Sequence, residues 1–136
     1  MQDCLFCKIA RKEIPANVVY EDSNTIAFLD ISPASKGHTL VIPKKHCETL
    51  DKMDDKELNV LISTVKKVSK VISKICDGYN VLQNNNRAAG QLVDHVHFHI
   101  IPQYKESPIR VLEKSKPEIS KEEMNQIKER IKTLLK

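Results

Sequence analysis

The stretch DHVHFHIIP, residues 94–102, decides how the rest of the chain is read. It carries His95, His97 and His99, three of the five histidines in the 136-residue chain. They alternate with Val96, Phe98 and Ile100. Period-two alternation of polar and apolar residues is the mark of a half-buried strand, on which every second side chain points the same way. Three imidazoles would therefore share one face, about 6.8 Å apart at two residues' rise. The apolar set would share the other. First to last, the row spans roughly 13.6 Å, too far for one tetrahedral metal to take all three. The row therefore implies a division of labour, with an end histidine on a metal and the others doing chemistry.

Working outward, further strands are expected at 17–20, 25–29, 39–42 and 79–83, with the triad strand at 96–101. Short polar turns, EDSN and SPASKG, separate the first three, which favours antiparallel neighbours. A long helix is expected over 54–76. Asp54 and Glu57 have the spacing of a capping box, and Leu58, Leu61, Ile62, Val65, Val68, Ile72 and Ile75 form its apolar face. Lys66, Lys67, Lys70 and Lys74 read as its solvated face. A second helix near the C-terminus starts with the capping box Ser120/Glu123 and carries the stripe Met124, Ile127, Ile131, Leu134. Residues 105–118 read as an irregular connection. The fold class is α+β: an antiparallel five-stranded sheet, a long helix packed on it, and a C-terminal helix. Residues 1–104 form the domain and 105–136 an extension.

Composition narrows the function classes. No apolar run reaches the roughly 20 residues of a membrane span, and the start MQDCLFCK is unlike a secretory signal. A cytosolic protein is expected, in which Cys4, Cys7, Cys47 and Cys76 are reduced thiols. The net charge of +4 is modest and Trp is absent, so no nucleic-acid partner is expected. Cys4 and Cys7 form a C-x-x-C pair, which suits either a metal or a redox couple. A redox site of the thioredoxin kind should follow a strand in a βαβ pattern, and none is visible; the surplus of histidines favours a metal. Beside the triad, QNNNRAAGQ (83–91) is rich in residues that tolerate tight turns and offer amide donors. Next to histidines it reads as a cradle for phosphate or another oxyanion.

These motifs together resemble those of the histidine triad superfamily. HVHFHII matches its signature of three histidines interleaved with apolar residues. FLDISPASKGHTLVIPKKH is similar to the segment that precedes the triad, and NNNRAAGQ to the phosphate loop. The likeness covers roughly residues 4–103 and is nearest to the Hint-like branch. The resemblance implies a HIT-like fold whose sheet continues across a homodimer. It implies hydrolase or transferase chemistry at the α-phosphate of purine nucleotides, through a nucleotidyl-histidine intermediate on His97. His38, Asn84, Gln91 and His99 would bind phosphate. Asp30 would bind ribose, and Phe6, Ile9, Ile14, Phe28 and Ile31 would surround the base. Zinc-containing members imply a structural zinc on Cys4, Cys7, His46 and His95, with no organic cofactor. The likeness departs at Leu92, Asp94, Gln103 and the tail after Tyr104, positions that bear on substrate preference. AMP phosphoramidates are the expected substrates. The alternatives are dinucleoside polyphosphates, as in the Fhit-like branch, or a nucleotide-binding scaffold with incidental catalysis.

Overall fold

The computed structural model describes residues 3–108 and 116–136. A short helix, α1 (Leu5–Ala10), precedes strands β1 (Val18–Glu21), β2 (Thr25–Leu29) and β3 (Thr39–Pro43). The long helix α2 (Asp55–Ile72) follows, then β4 (Gly78–Gln83), β5 (Phe98–Gln103) and α3 (Lys121–Leu135). The five strands form one antiparallel sheet in the order β1-β2-β3-β5-β4. The expected α+β architecture is present.

Alternation along the central strands divides their residues between two cores. Ala27, Val41, Phe98 and Ile100 pack with Leu61, Val65, Val68 and Ile72 of α2. Ile26, Phe28, Leu40 and Ile42 face the other way, onto Phe6 and Ile9 of α1. Strands covered on both faces read as near-continuous apolar runs, which is why TIAFL and TLVIP lack polar gaps. Each such aliphatic side chain stabilises the fold by about 1.5–3 kcal/mol on burial. A buried hydroxyl pair, Thr25 and Thr64 at 2.8 Å, ties α2 to β2.

Several boundaries differ from those expected. Helix α2 ends at Ile72, so Cys76 lies outside it, and Ile62 and Ile75 are exposed. Asp54 does cap it, but its carboxylate accepts the N–H of Lys56, while Glu57 pairs with Lys45 at 2.9 Å. The triad strand starts at Phe98 instead of Val96. The cause is visible: Val96 donates its N–H to Cys47 O (2.8 Å), which ties this stretch to the loop after His46. Helix α1 was not foreseen, because one and a half turns show no periodicity; the Cys4 sulfur caps it, accepting the N–H of Cys7. The C-terminal helix has the expected Ser120/Glu123 capping box. Residues 109–115 of the expected irregular connection lie outside the described residues.

Candidate active site

The register of the sheet assembles the site. Phe28 lies opposite Leu40, Leu40 opposite His99, and His99 opposite Leu82. These four therefore form one row across the face that α1 covers only in part. Moving two residues along each strand adds Asp30, His38, His97 and Asn84 to the same face. Between this face and α1 opens a cleft of about 450 Å³. That volume falls within the range of small-molecule sites. Phe6, Ile9, Ile14, Phe28, Asp30 and Ile31 all line it, as do His38, Asn84, His97 and His99. Among the described residues, no Lys or Arg does.

Hydrogen bonds fix which nitrogen of each imidazole carries the proton. The N–H of Ala34 reaches His38 Nδ1 at 2.9 Å, so that nitrogen accepts and Nε2 holds the hydrogen. His38 Nε2 then donates to His99 Nδ1 at 2.9 Å. This leaves the N–H of His99 on Nε2. Asp30 Oδ2 sits 3.6 Å from His38 Nε2. Separately, His97 Nδ1 donates to His95 O at 2.7 Å, so its Nε2 keeps the lone pair. Burial lowers the pKa of His38 and His97, and pushes His99 down to about 4 with help from its histidine neighbours. At neutral pH the site thus holds uncharged imidazoles: a nucleophilic nitrogen on His97 and a donor on His99. His38 Nε2 lies between Asp30 Oδ2 and His99 Nδ1 and gives its hydrogen to His99, the nearer of the two.

His95 belongs to a second site. It is fully buried, and its Nε2 donates to Pro43 O at 2.8 Å, so Nδ1 presents a lone pair. Cys4 Sγ lies 3.4 Å and Cys7 Sγ 3.6 Å from that nitrogen, and Cys7 Sγ lies 3.3 Å from His46 Nδ1. All four donor atoms fall within 4.8 Å of one another. A tetrahedral zinc with bonds of about 2.3 Å to sulfur and 2.0–2.1 Å to nitrogen separates S from N by roughly 3.6 Å. The donor set therefore fits zinc, and the hydrogen bond from His95 Nε2 to Pro43 O holds the ring with its Nδ1 lone pair toward the metal position. Burial first, and then Cys4 beside it, raises the Cys7 thiol; a cation at the centre would offset the cost of a thiolate there.

Gln91 is placed differently from expectation. It is buried, and its amide is fully engaged: Oε1 accepts the N–H of Asn86 and Nε2 donates to Glu48 O, both at 2.7 Å. Its side chain braces the asparagine loop from behind instead of facing the cleft. Arg87 is likewise turned to the loop itself, donating to Gln91 O at 2.7 Å and pairing with Asp94 at 3.4 Å. The loop closes at Gly90, whose φ of +92° is left-handed, with a Cβ position 3.6 Å from Asn84 Nδ2. A side chain there is strained by about 1–2 kcal/mol. Gly90→Ala is therefore expected to lower unfolding free energy by about that amount, measured by urea denaturation.

Several contributors left no mark in the sequence. Ala34, Pro43 and Glu48 act through backbone atoms, so their side chains advertise nothing. Leu40 and Leu82 were recoverable, since each lies two residues from a site position on the same strand face.

The chain resembles known proteins over most of its length. The profile of the HIT domain family matches residues 11–106. An adenosine 5'-monophosphoramidase of Schizosaccharomyces pombe is 50% identical over 103 residues, 76% of each chain. An adenylylsulfatase of Arabidopsis thaliana is 44% identical over 102 residues, 74% of this chain and 52% of that one. The crystal structure of a Streptococcus mutans protein superposes with a TM-score of 0.91 at 38% identity, over 100% of this chain and 87% of that one. With a profile match across most of the chain and relatives of this identity, the protein belongs to the HIT domain family.

Proposed function

We propose that this protein hydrolyses AMP phosphoramidates, nucleotides in which an amine is joined to the α-phosphate, through a nucleotidyl-histidine intermediate. It is a nucleotide hydrolase of its family. The observation that carries the finer reading is the state of His97: Nδ1–H engaged by His95 O, with Nε2 left unprotonated toward a nucleotide-sized cleft. That nitrogen attacks the α-phosphorus. An N–P bond forms and the P–N bond to the amine breaks. The amine leaves with a proton from His99 Nε2, while His38 holds that ring in place by donating to its Nδ1. Water then attacks the nucleotidyl-histidine: its oxygen joins phosphorus as the N–P bond breaks and its proton returns to His99 Nε2, which releases AMP and restores both histidines. Splitting one displacement into two lowers each barrier. Asp30 binds the ribose hydroxyls, and Phe6, Ile9, Ile14, Phe28 and Ile31 hold the base. His38, Asn84 and His99 stabilise charge on the phosphoryl oxygens.

Cys4, Cys7, His46 and His95 would hold zinc. Their closed ligand set makes it structural, tying α1 to the triad segment and leaving no position for substrate. Free thiols at these positions fit a reducing compartment, the cytosol. Among the described residues no helix is long and apolar enough to cross a membrane. The homodimer forms along β4. This edge strand leaves one row of backbone groups unpaired, and Tyr79, Val81 and, from α2, Ile62 stand exposed. An exposed apolar edge is a template for pairing with a second copy.

The cleft also bears on the leaving group. A polyphosphate departs as an anion and favours cationic neighbours, whereas an amine needs only a proton. With no described Lys or Arg lining the cleft, and Arg87 turned into its loop, the phosphoramidate is favoured. Side-by-side kinetics on an AMP–amine, Ap3A, Ap4A and adenylyl sulfate test this. The expected result is a kcat/KM for the AMP–amine at least about tenfold above that for Ap3A or Ap4A, or about 1.4 kcal/mol in transition-state binding. A tenfold preference for a dinucleotide would overturn it.

A further inference from the structure

Helix α3 has no place in the fold described so far. Every residue from 116 to 136 is exposed, including Met124, Ile127, Ile131 and Leu134. These four recur at intervals of three, four and three residues. That spacing makes the narrow seam that accepts one other helix, not the wide stripe of a helix laid on a sheet. A 15-residue helix is marginal in water without a packing partner. Yet the Streptococcus mutans superposition takes in the whole chain, α3 included, at a TM-score of 0.91. A helix whose every residue is exposed, and which packs on no other element among the described residues, does not hold a recurring place unless another molecule covers it.

The root of the arm says which molecule. The chain leaves the sheet at Gln103, which pairs with Gly78 at the start of the edge strand β4. Lys105 then donates its N–H to Asp77 Oδ2 at 2.9 Å, and Tyr104 donates its hydroxyl to Lys36 O at 2.6 Å. The exit is thus pinned at the edge along which two copies join. The 13 steps from Pro108 to Lys121 can span roughly 43 Å at about 3.3 Å each, enough to carry α3 past that edge. We propose that α3 is a clasp: its Met124–Ile127–Ile131–Leu134 seam packs against a helix of a second copy, each chain holding the other. This rests on the homodimer reading and adds a second, independent contact to it.

The test uses the full chain carrying Ile127→Gln and Ile131→Gln. Glutamine is a good helix former and both positions are exposed, so the body and its turnover per chain should be unchanged. Sedimentation velocity over a dilution series should show the variant dimer dissociating at least about tenfold more readily than the parent. A photo-crosslinking residue placed at position 127 should give a two-chain adduct, and peptide mapping should locate the contacted helix. A parent that is dimeric with an unchanged variant, or a crosslink confined to one chain, overturns the clasp and leaves the β4 dimer standing. A parent that is monomeric at every concentration overturns both, while AMP–amine turnover reports separately on the hydrolase.

Discussion

Replacing His97 with alanine is expected to lower kcat/KM for an AMP–amine by at least about 10⁴-fold, with folding and AMP binding retained. Loss of a covalent nucleophile removes the two-step route altogether, and losses of about this size or larger accompany such deletions. Folding should survive because His97 makes one backbone contact, to His95 O, and stacks edge-on against Phe6 at 5.0 Å. His97→Asn makes the useful control, since it keeps a polar donor but no nucleophilic ring nitrogen. Turnover measured with fast-quench kinetics, and AMP affinity by calorimetry, separate chemistry from binding. A variant that keeps more than about a tenth of parental turnover would remove His97 from the mechanism.

The Cys4→Ser, Cys7→Ser double variant is expected to lose zinc entirely and to melt well below the parent. The two sulfurs supply half of the proposed ligand set and cap α1 through Cys4. Because metal binding is linked to folding, removing the metal removes its share of the stability. The displaced element matters: α1 carries Phe6 and Ile9, which close the second core and the cleft wall. Turnover should therefore fall as well, through a raised KM for the nucleoside. Metal analysis of chelator-free protein, with thermal melts of parent and variant, decides it. Full metal occupancy in the variant would refute the ligand set.

Much of this was legible in HVHFHII and its surroundings, because alternation survives folding. The same period that put three imidazoles on one side put Phe98 and Ile100 against α2. The strand at 25–29 and the Ser120/Glu123 cap were readable for the same reason: local pattern and local structure coincide. What could not be read depended on contacts distant in sequence. The triad strand begins late because Val96 answers to Cys47, 49 positions away by their residue numbers. Gln91 has the chemistry of a phosphate donor, but its position behind the loop is set by Glu48 O and Asn86 N–H. The tautomers that leave a lone pair on His97 Nε2 and an N–H on His99 Nε2 are written by backbone atoms of His95 and Ala34, to which side-chain identity is silent.

The central claim is that the reacting phosphorus is carried by one nitrogen, His97 Nε2. Rapid mixing with an AMP–amine, quenching at alkaline pH to preserve phosphorus–nitrogen bonds, and peptide mapping by mass spectrometry test it directly. The account predicts an AMP adduct on His97 that forms faster than steady-state turnover and is absent from His97→Ala. An adduct on His38, His99 or any other residue would contradict it, as would steady turnover with no adduct at any time point.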